Sequence, residues 1–216
     1  MSIAVKICGL TDQKALTTAV DSGAAYVGFV FFRRSPRVIS VEKAAALVST
    51  LPRSVISVGL FVDPTDQELS RTLADVNLGF IQLHGAETPA RTSAIRKKFK
   101  LPVMKALGIS SRADIIAAGA YENYADWLLF DAKPAPGATR PGGNAQAFDW
   151  TLMRAYSGKM PWMLAGGLTA KNVATAITAS GARAVDVSSG VETRPGVKSP
   201  AKIRAFIKAV GAVSTS

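Results

Sequence analysis

The 216 residues hold one cysteine and one histidine, and each closes an apolar run just before a glycine. Cys8 ends the stretch Ile3 to Cys8 ahead of Gly9, and His84 ends Gly79 to His84 ahead of Gly85. A carboxyl stands in a comparable place, Asp131 at the end of Asp126 to Asp131. A thiol and a carboxyl on opposite sides of a ligand suit a general base and a general acid. Each group also has a plainer use: a thiol as a small buried hydrophobe, an aspartate as a turn residue, a histidine as pocket lining.

The chain that must place these groups repeats one unit. Residues 3 to 8 form a short strand, and Thr11-Asp12 offers an N-cap for a helix over Gln13 to Ser22 that Gly23 ends. Further strands are expected at Tyr26 to Phe32, Ser54 to Val62, Gly79 to His84, Leu101 to Leu107, Asp126 to Asp131, Pro161 to Ala165 and Ala184 to Val187. Helices should follow them at Ser40 to Thr50, Thr65 to Asp75, Thr88 to Phe99, Ser111 to Ala118, from Phe148-Asp149 onward, Thr169 to Ser180 and Ser199 to Val210. Eight strand–helix units with no composition break predict parallel strands with right-handed crossovers, in one (β/α)8 barrel domain over residues 1–216. A doubly wound sheet is the alternative, but its glycine-rich turn after the first strand is missing from Cys-Gly-Leu-Thr. The connection Ala132 to Ala147, rich in Pro, Gly and Ala, is long enough to be either a functional loop or disordered.

In such a barrel the site lies at the C-terminal strand ends. Those ends here are Cys8, the loop Arg33 to Arg37, Asp63, His84, Gly108, Asp131, Gly166-Gly167 and Ser188-Ser189-Gly190. Side chains alternate between barrel interior and helix layer, so Lys6 and Cys8 should point inward together, as should Gln82 with His84 and Asp186 with Ser188. A lysine inside a barrel needs a counter-charge. The first and last strands adjoin in a closed ring, so Lys6 is expected to pair with Asp186 beneath the site. The turns after the seventh and eighth strands, each expected to lead into a helix, commonly bind phosphate in this fold through backbone amides.

With 26 Lys and Arg against 15 Asp and Glu the formal charge is +11. A nucleic-acid binder is one reading of that excess. The basic residues are scattered, though, and most are expected on a solvated surface where they steer anionic ligands. A lone cysteine allows no internal disulfide, and no apolar run or leader marks a membrane protein. The expectation is a cytoplasmic protein with a small-molecule substrate, no nucleic-acid or membrane partner, and a monomeric or homodimeric state.

Several stretches together resemble one family. Lys-Ile-Cys-Gly-Leu (6–10), Phe-Phe-x-x-Ser-Pro-Arg (31–37), Gly-Leu-Phe-Val (59–62), Ile-Gln-Leu-His-Gly (81–85), Leu-Phe-Asp (129–131), Phe-Asp-Trp (148–150), Leu-Ala-Gly-Gly-Leu (164–168) and Asp-Val-Ser-Ser-Gly-Val-Glu (186–192) are similar to the phosphoribosylanthranilate isomerases of tryptophan biosynthesis. The resemblance implies an Amadori rearrangement without cofactor or metal. It implies Asp131 as the acid that opens the ribose ring, Cys8 as the base that takes the C2′ proton, and Arg37 as the contact for the anthranilate carboxylate. Gly166, Gly167, Ser188, Ser189 and Gly190 would hold the phosphate, with His84 and Asp186 lining the substrate site.

An ordinary thiol with a pKa of about 8.5 is only a few per cent thiolate at neutral pH, a handicap of roughly 2 kcal/mol that a nearby Lys6 would reduce. Asp131 has the opposite difficulty, since an acid must hold its proton. One departure from the family lies in Gly142-Gly143-Asn144-Ala145, where Gly-Gly-Thr-Gly is usual. Another phosphosugar barrel, such as an indole-glycerol-phosphate synthase, is the enzyme alternative, and a basic nucleic-acid binder the alternative outside enzymes.

Overall fold

The computed structural model describes residues 3–134, 137, 142 and 147–213. The expectations for Gly143, Asn144 and Ala145 lie outside the described residues. Eight parallel strands close into a barrel in sequence order: β1 Ala4–Cys8, β2 Tyr26–Val30, β3 Ile56–Phe61, β4 Phe80–Leu83, β5 Val103–Ile109, β6 Trp127–Ala132, β7 Trp162–Leu164 and β8 Ala184–Val187. Closure is made by β1 on β8, with Lys6 level with Asp186.

Helices start where a side chain can satisfy their unbonded amides. Asp12 accepts from Ala15 N at 2.9 Å to begin α1 (Gln13–Asp21), and Ser40 caps α2 (Val41–Val48). Thr65 with Glu68 and Ser111 with Asp114 form reciprocal capping boxes at α3 (Asp66–Asp75) and α5 (Arg112–Ala117). Thr88 and Ser199 cap α4 (Pro89–Phe99) and the last helix, each with proline in the first turn.

One expected helix is absent as such, and one turn leads elsewhere than expected. The segment from Phe148-Asp149 forms only a 3-10 turn over Trp150–Ala155, capped by Asp149. After β8, Ser188-Ser189-Gly190 leads not into a helix but into a short 3-10 turn, Ser189–Val191, and an antiparallel hairpin of β9 (Glu192–Arg194) and β10 (Val197–Lys198). Strands of three and two residues leave no readable alternation. The helix after β7, α6, begins at Val173 and runs to Ser180, four residues later than Thr169, because Thr169 to Asn172 form a turn. The final helix, α7, spans Pro200–Gly211.

Alternation along the strands sorts side chains into two layers. Val5, Ile7, Val27, Phe29, Leu83, Phe130 and Val185 pack outward under the helices, while Val58, Met104, Leu129 and Met163 fill the barrel. At the N-terminal ends of β2, β4 and β6, Tyr26, Phe80 and Trp127 meet edge to face with centroids 6.1–6.5 Å apart. They plug that end of the barrel, as aromatic pairs of this geometry do well. The opposite end stays open.

Candidate active site

A cleft opens at the C-terminal strand ends, where barrels of this kind carry their sites. Cys8, Arg37, His84, Asp131, Gly166, Gly167, Asp186, Ser188 and Ser189 all line it. Gly190 sits behind them in the 3-10 turn after β8. Arg33 and Arg34 are exposed, as expected.

Lys6 is fully buried and its Nζ donates to Asp186 Oδ1 at 2.8 Å, the expected pair. Burial works against the Lys6 charge, but the Asp186 carboxylate and the facing thiol outweigh it and hold the ammonium above its ordinary value. The expected gain for Cys8 is only partial. Burial pushes the thiol up more than Lys6 and Lys198 pull it down, and Asp186 adds to the rise, so the net shift is upward. The pair beneath the site is nearly neutral as seen from the thiol, and Lys6 alone does not decide its titration.

Gly9 explains the residue after the cysteine. It adopts φ +79°, and a Cβ there would lie 2.7 Å from Arg37 Cδ, so only glycine lets the Arg37 stem pass over the end of β1. The Arg37 guanidinium is itself held within the protein. Its Nε donates to Glu192 Oε1 at 2.7 Å and Nη2 to Oε2 at 2.9 Å, a bidentate fork of the kind expected for the substrate carboxylate. One edge of the arginine is therefore engaged before any ligand arrives.

Glu192 also accepts from Lys198 Nζ at 2.8 Å. Lys198, grouped on sequence with solvated bases, has a side chain without solvent exposure. Its ammonium also donates to Ser188 O at 2.9 Å and Oγ at 3.2 Å, and Ser188 Oγ donates to Cys8 O at 3.1 Å. The Ser188 hydroxyl thus ties β8 to β1 rather than pointing free at a ligand. Burial lowers the Lys198 pKa more than Glu192 and Cys8 raise it. For Glu192, burial pushes up but Arg37 and Lys198 together bring the carboxyl below its ordinary value. Glu192 was visible only as the end of a motif, and Lys198 gave no signal, since its burial depends on a two-residue strand.

The turn after β7 has Gly166 and Gly167 at φ +87° and +62°. Asn172, also missed, clamps it: Thr169 N donates to Asn172 Oδ1 at 2.7 Å, and Asn172 Nδ2 to Gly167 O at 3.0 Å. Across the mouth, Asp131 Oδ1 accepts from Ala132 N at 2.8 Å and Oδ2 lies 3.4 Å from His84 Nε2. Lys105, fully buried on β5, donates to Gly85 O at 2.6 Å and to Glu87 at 2.7 Å, and Glu87 in turn accepts from Gly85 N and Asp63 N. This pair fixes the turn that carries His84.

Fold and cleft define the class: a (β/α)8-barrel enzyme whose small-molecule site is built on the C-terminal strand ends. The chain belongs to the N-(5′-phosphoribosyl)anthranilate isomerase family, whose model matches residues 5–209. It is 56% identical over 209 residues to the N-(5′-phosphoribosyl)anthranilate isomerase of Paramagnetospirillum magneticum, covering 97% of each chain. The Thermotoga maritima phosphoribosyl anthranilate isomerase structure superposes with a TM-score of 0.87 at 37% identity, covering 96% of this chain and 98% of that one. A phosphoribosyl anthranilate isomerase solved with reduced 1-(o-carboxyphenylamino)-1-deoxyribulose 5-phosphate matches at a TM-score of 0.84 and 36% identity, over 96% and 98% of the two chains.

Proposed function

We propose that Cys8 is the general base and Asp131 the general acid of the isomerisation this chain catalyses. That reaction is the Amadori rearrangement of N-(5′-phosphoribosyl)anthranilate to 1-(2-carboxyphenylamino)-1-deoxyribulose 5-phosphate. The observation that carries the assignment is the placement of the two groups. They end β1 and β6, which are not neighbours in the closed ring, and they line one cleft.

Asp131 gives a proton to the ribose ring oxygen as the C1′–O bond breaks and the amine nitrogen forms C1′=N. Cys8 takes the C2′ proton to give the enolamine, and as the C2′ hydroxyl becomes the ketone its proton goes to the Asp131 carboxylate while the Cys8 thiol gives a proton to C1′. Amides of the turns at 166–168 and 188–190 receive the phosphate, and Arg37 receives the carboxylate. The lone cysteine fits a cytoplasmic enzyme, working as a monomer or homodimer. Among the described residues no helix is long and apolar enough to cross a membrane.

An isomerase assay on wild type, Cys8→Ala and Asp131→Asn tests the roles. Loss of several orders of magnitude in kcat/KM is expected for each, and full activity in either variant removes that residue from its role.

A further inference from the structure

A phosphate monoester carries close to two negative charges at neutral pH, and the turns proposed to receive it, Gly166-Gly167-Leu168 and Ser188-Ser189-Gly190, contain no cation. Backbone amides can hold such a ligand only if they face it. The two turns adjoin, since a Cβ on Gly190 would overlap Leu168 O. Behind the second of them stands Lys198.

Lys198 reaches the turn from β10, in the hairpin that follows β8. Its side chain has no solvent exposure, whereas Ser188 and Ser189 line the cleft. Nζ donates to Ser188 O at 2.9 Å, to Ser188 Oγ at 3.2 Å and to Glu192 Oε1 at 2.8 Å. A carbonyl and an ionised carboxylate only accept, and Ser188 Oγ gives its one hydrogen to Cys8 O at 3.1 Å, so toward Lys198 it also accepts. Three acceptors need three N–H bonds. Burial works against the Lys198 charge, but a neutral amine has only two such bonds, so the pattern requires the ammonium.

The carbonyl contact fixes a direction. Among the described residues no peptide bond is cis, and a trans peptide points its C=O and its N–H opposite ways. With Ser188 O held back on Lys198, the Ser189 N–H is turned to the cleft side. It is the ammonium of the Lys198 and Glu192 pair that touches Ser188, so the pair sets its positive end against the turn.

We propose that Lys198 is the positioning residue of the phosphate turn after β8: from behind, it holds the Ser188 carbonyl off the ligand, aims the Ser189 amide at it, and supplies the positive charge that the turn's own residues lack. The proposal rests on the 188–190 turn receiving the phosphate. A dianion gains more from that arrangement than a monoanion of the same shape, so Lys198 makes the site selective for a phosphate monoester.

The test titrates wild type and Lys198→Met with methyl phosphate and with methyl sulfate at pH 8, following the amide resonances of Gly166, Gly167, Ser189 and Gly190. The two esters share a shape, but at that pH the phosphate is a dianion and the sulfate a monoanion. Lys198→Met should weaken methyl phosphate by about tenfold and reduce the preference for phosphate over sulfate by at least about threefold, because a charge close behind the turn acts twice as strongly on the dianion. A lysine that only braces the hairpin would lower both ligands by the same factor. That outcome, or an unaltered phosphate affinity, overturns the proposal. Should Lys198→Met fail to fold, wild type decides: the Lys198 ammonium nitrogen resonance should move with the same midpoint as the Ser189 amide during the methyl phosphate titration, and a stationary Lys198 signal beside a moving Ser189 refutes the coupling. If none of the four amides moves in wild type, the reading of these turns as a phosphate site fails instead, so the two failures are separable.

Discussion

Replacing Glu192 by Gln should be among the most damaging single changes in the chain, although Glu192 lies on a three-residue strand outside the barrel. The carboxylate accepts from Arg37 at 2.7 and 2.9 Å and from Lys198 at 2.8 Å, and all three residues are 5–6% exposed. An amide in its place takes from two buried cations the anion they share and points an NH2 group at one of them. Removing one member of a buried ion pair costs about 3–5 kcal/mol, against a total stability of about 5–15 kcal/mol. For a chain of this size that is a fall in Tm of roughly 6–20 °C. The pH dependence has a definite sign. Glu192 is held below its ordinary value in the folded state, so its contribution is present above the ordinary carboxyl pKa and is lost as pH falls through the depressed one. Urea denaturation of wild type and Glu192→Gln should therefore differ most near neutral pH and converge in acid. The double variant Glu192→Gln with Lys198→Met should be less destabilised than the sum of the singles, because it removes both charges. A neutral-pH loss under about 1 kcal/mol, or strict additivity, would refute the picture of one coupled network.

Two further outcomes follow from the same geometry. With one cysteine in the chain, alkylation rate against pH reports Cys8 directly; its midpoint should lie above the ordinary thiol value, because burial dominates, and Lys198→Met should move it higher still. Gly142→Ala should lower kcat/KM by at least about tenfold while barely changing stability, since the new Cβ meets Asp131 and His84 and the site lies in a connection between strands; steady-state kinetics beside a thermal melt would show whether activity and stability separate in this way.

What the sequence made legible was whatever depends on local period or on strand order. The eight strands and most helix starts follow from apolar runs and from Asp12, Ser40, Thr65, Thr88, Ser111 and Ser199 standing where a cap is needed. The Lys6–Asp186 pair followed from alternation plus closure alone. Illegible were the contacts made by chain that returns over the barrel mouth. Lys198 looks like any basic residue ahead of a Ser-Pro helix cap, and nothing local says that two residues of strand will carry its ammonium to Ser188 and Glu192. Lys105 sits in a plain apolar run, and its partner Glu87 lies 18 positions back. Part of the basic surface is likewise accounted for only in three dimensions, with Arg91 and Lys98 on Asp66 and Arg96 on Asp126.

The charges beneath the mouth bear on the role proposed for the buried Cys8 thiol as base. Lys6 with Asp186 and Lys198 with Glu192 are two neutral pairs, and Arg37 shares Glu192. Water is largely excluded there, so burial makes the thiolate scarce, and a scarce base limits the rate. The same exclusion strengthens every remaining field. A thiolate formed at Cys8 would meet the Lys6 and Lys198 ammoniums, which pull the thiol down against burial, while the substrate carboxylate is proposed to meet Arg37. The proposed mechanism needs both anions in one cycle, so the spacing between Arg37 and Cys8 would have to let both form. Gly9, which allows the arginine stem to cross the end of β1 with no side chain between, stands directly after the proposed base.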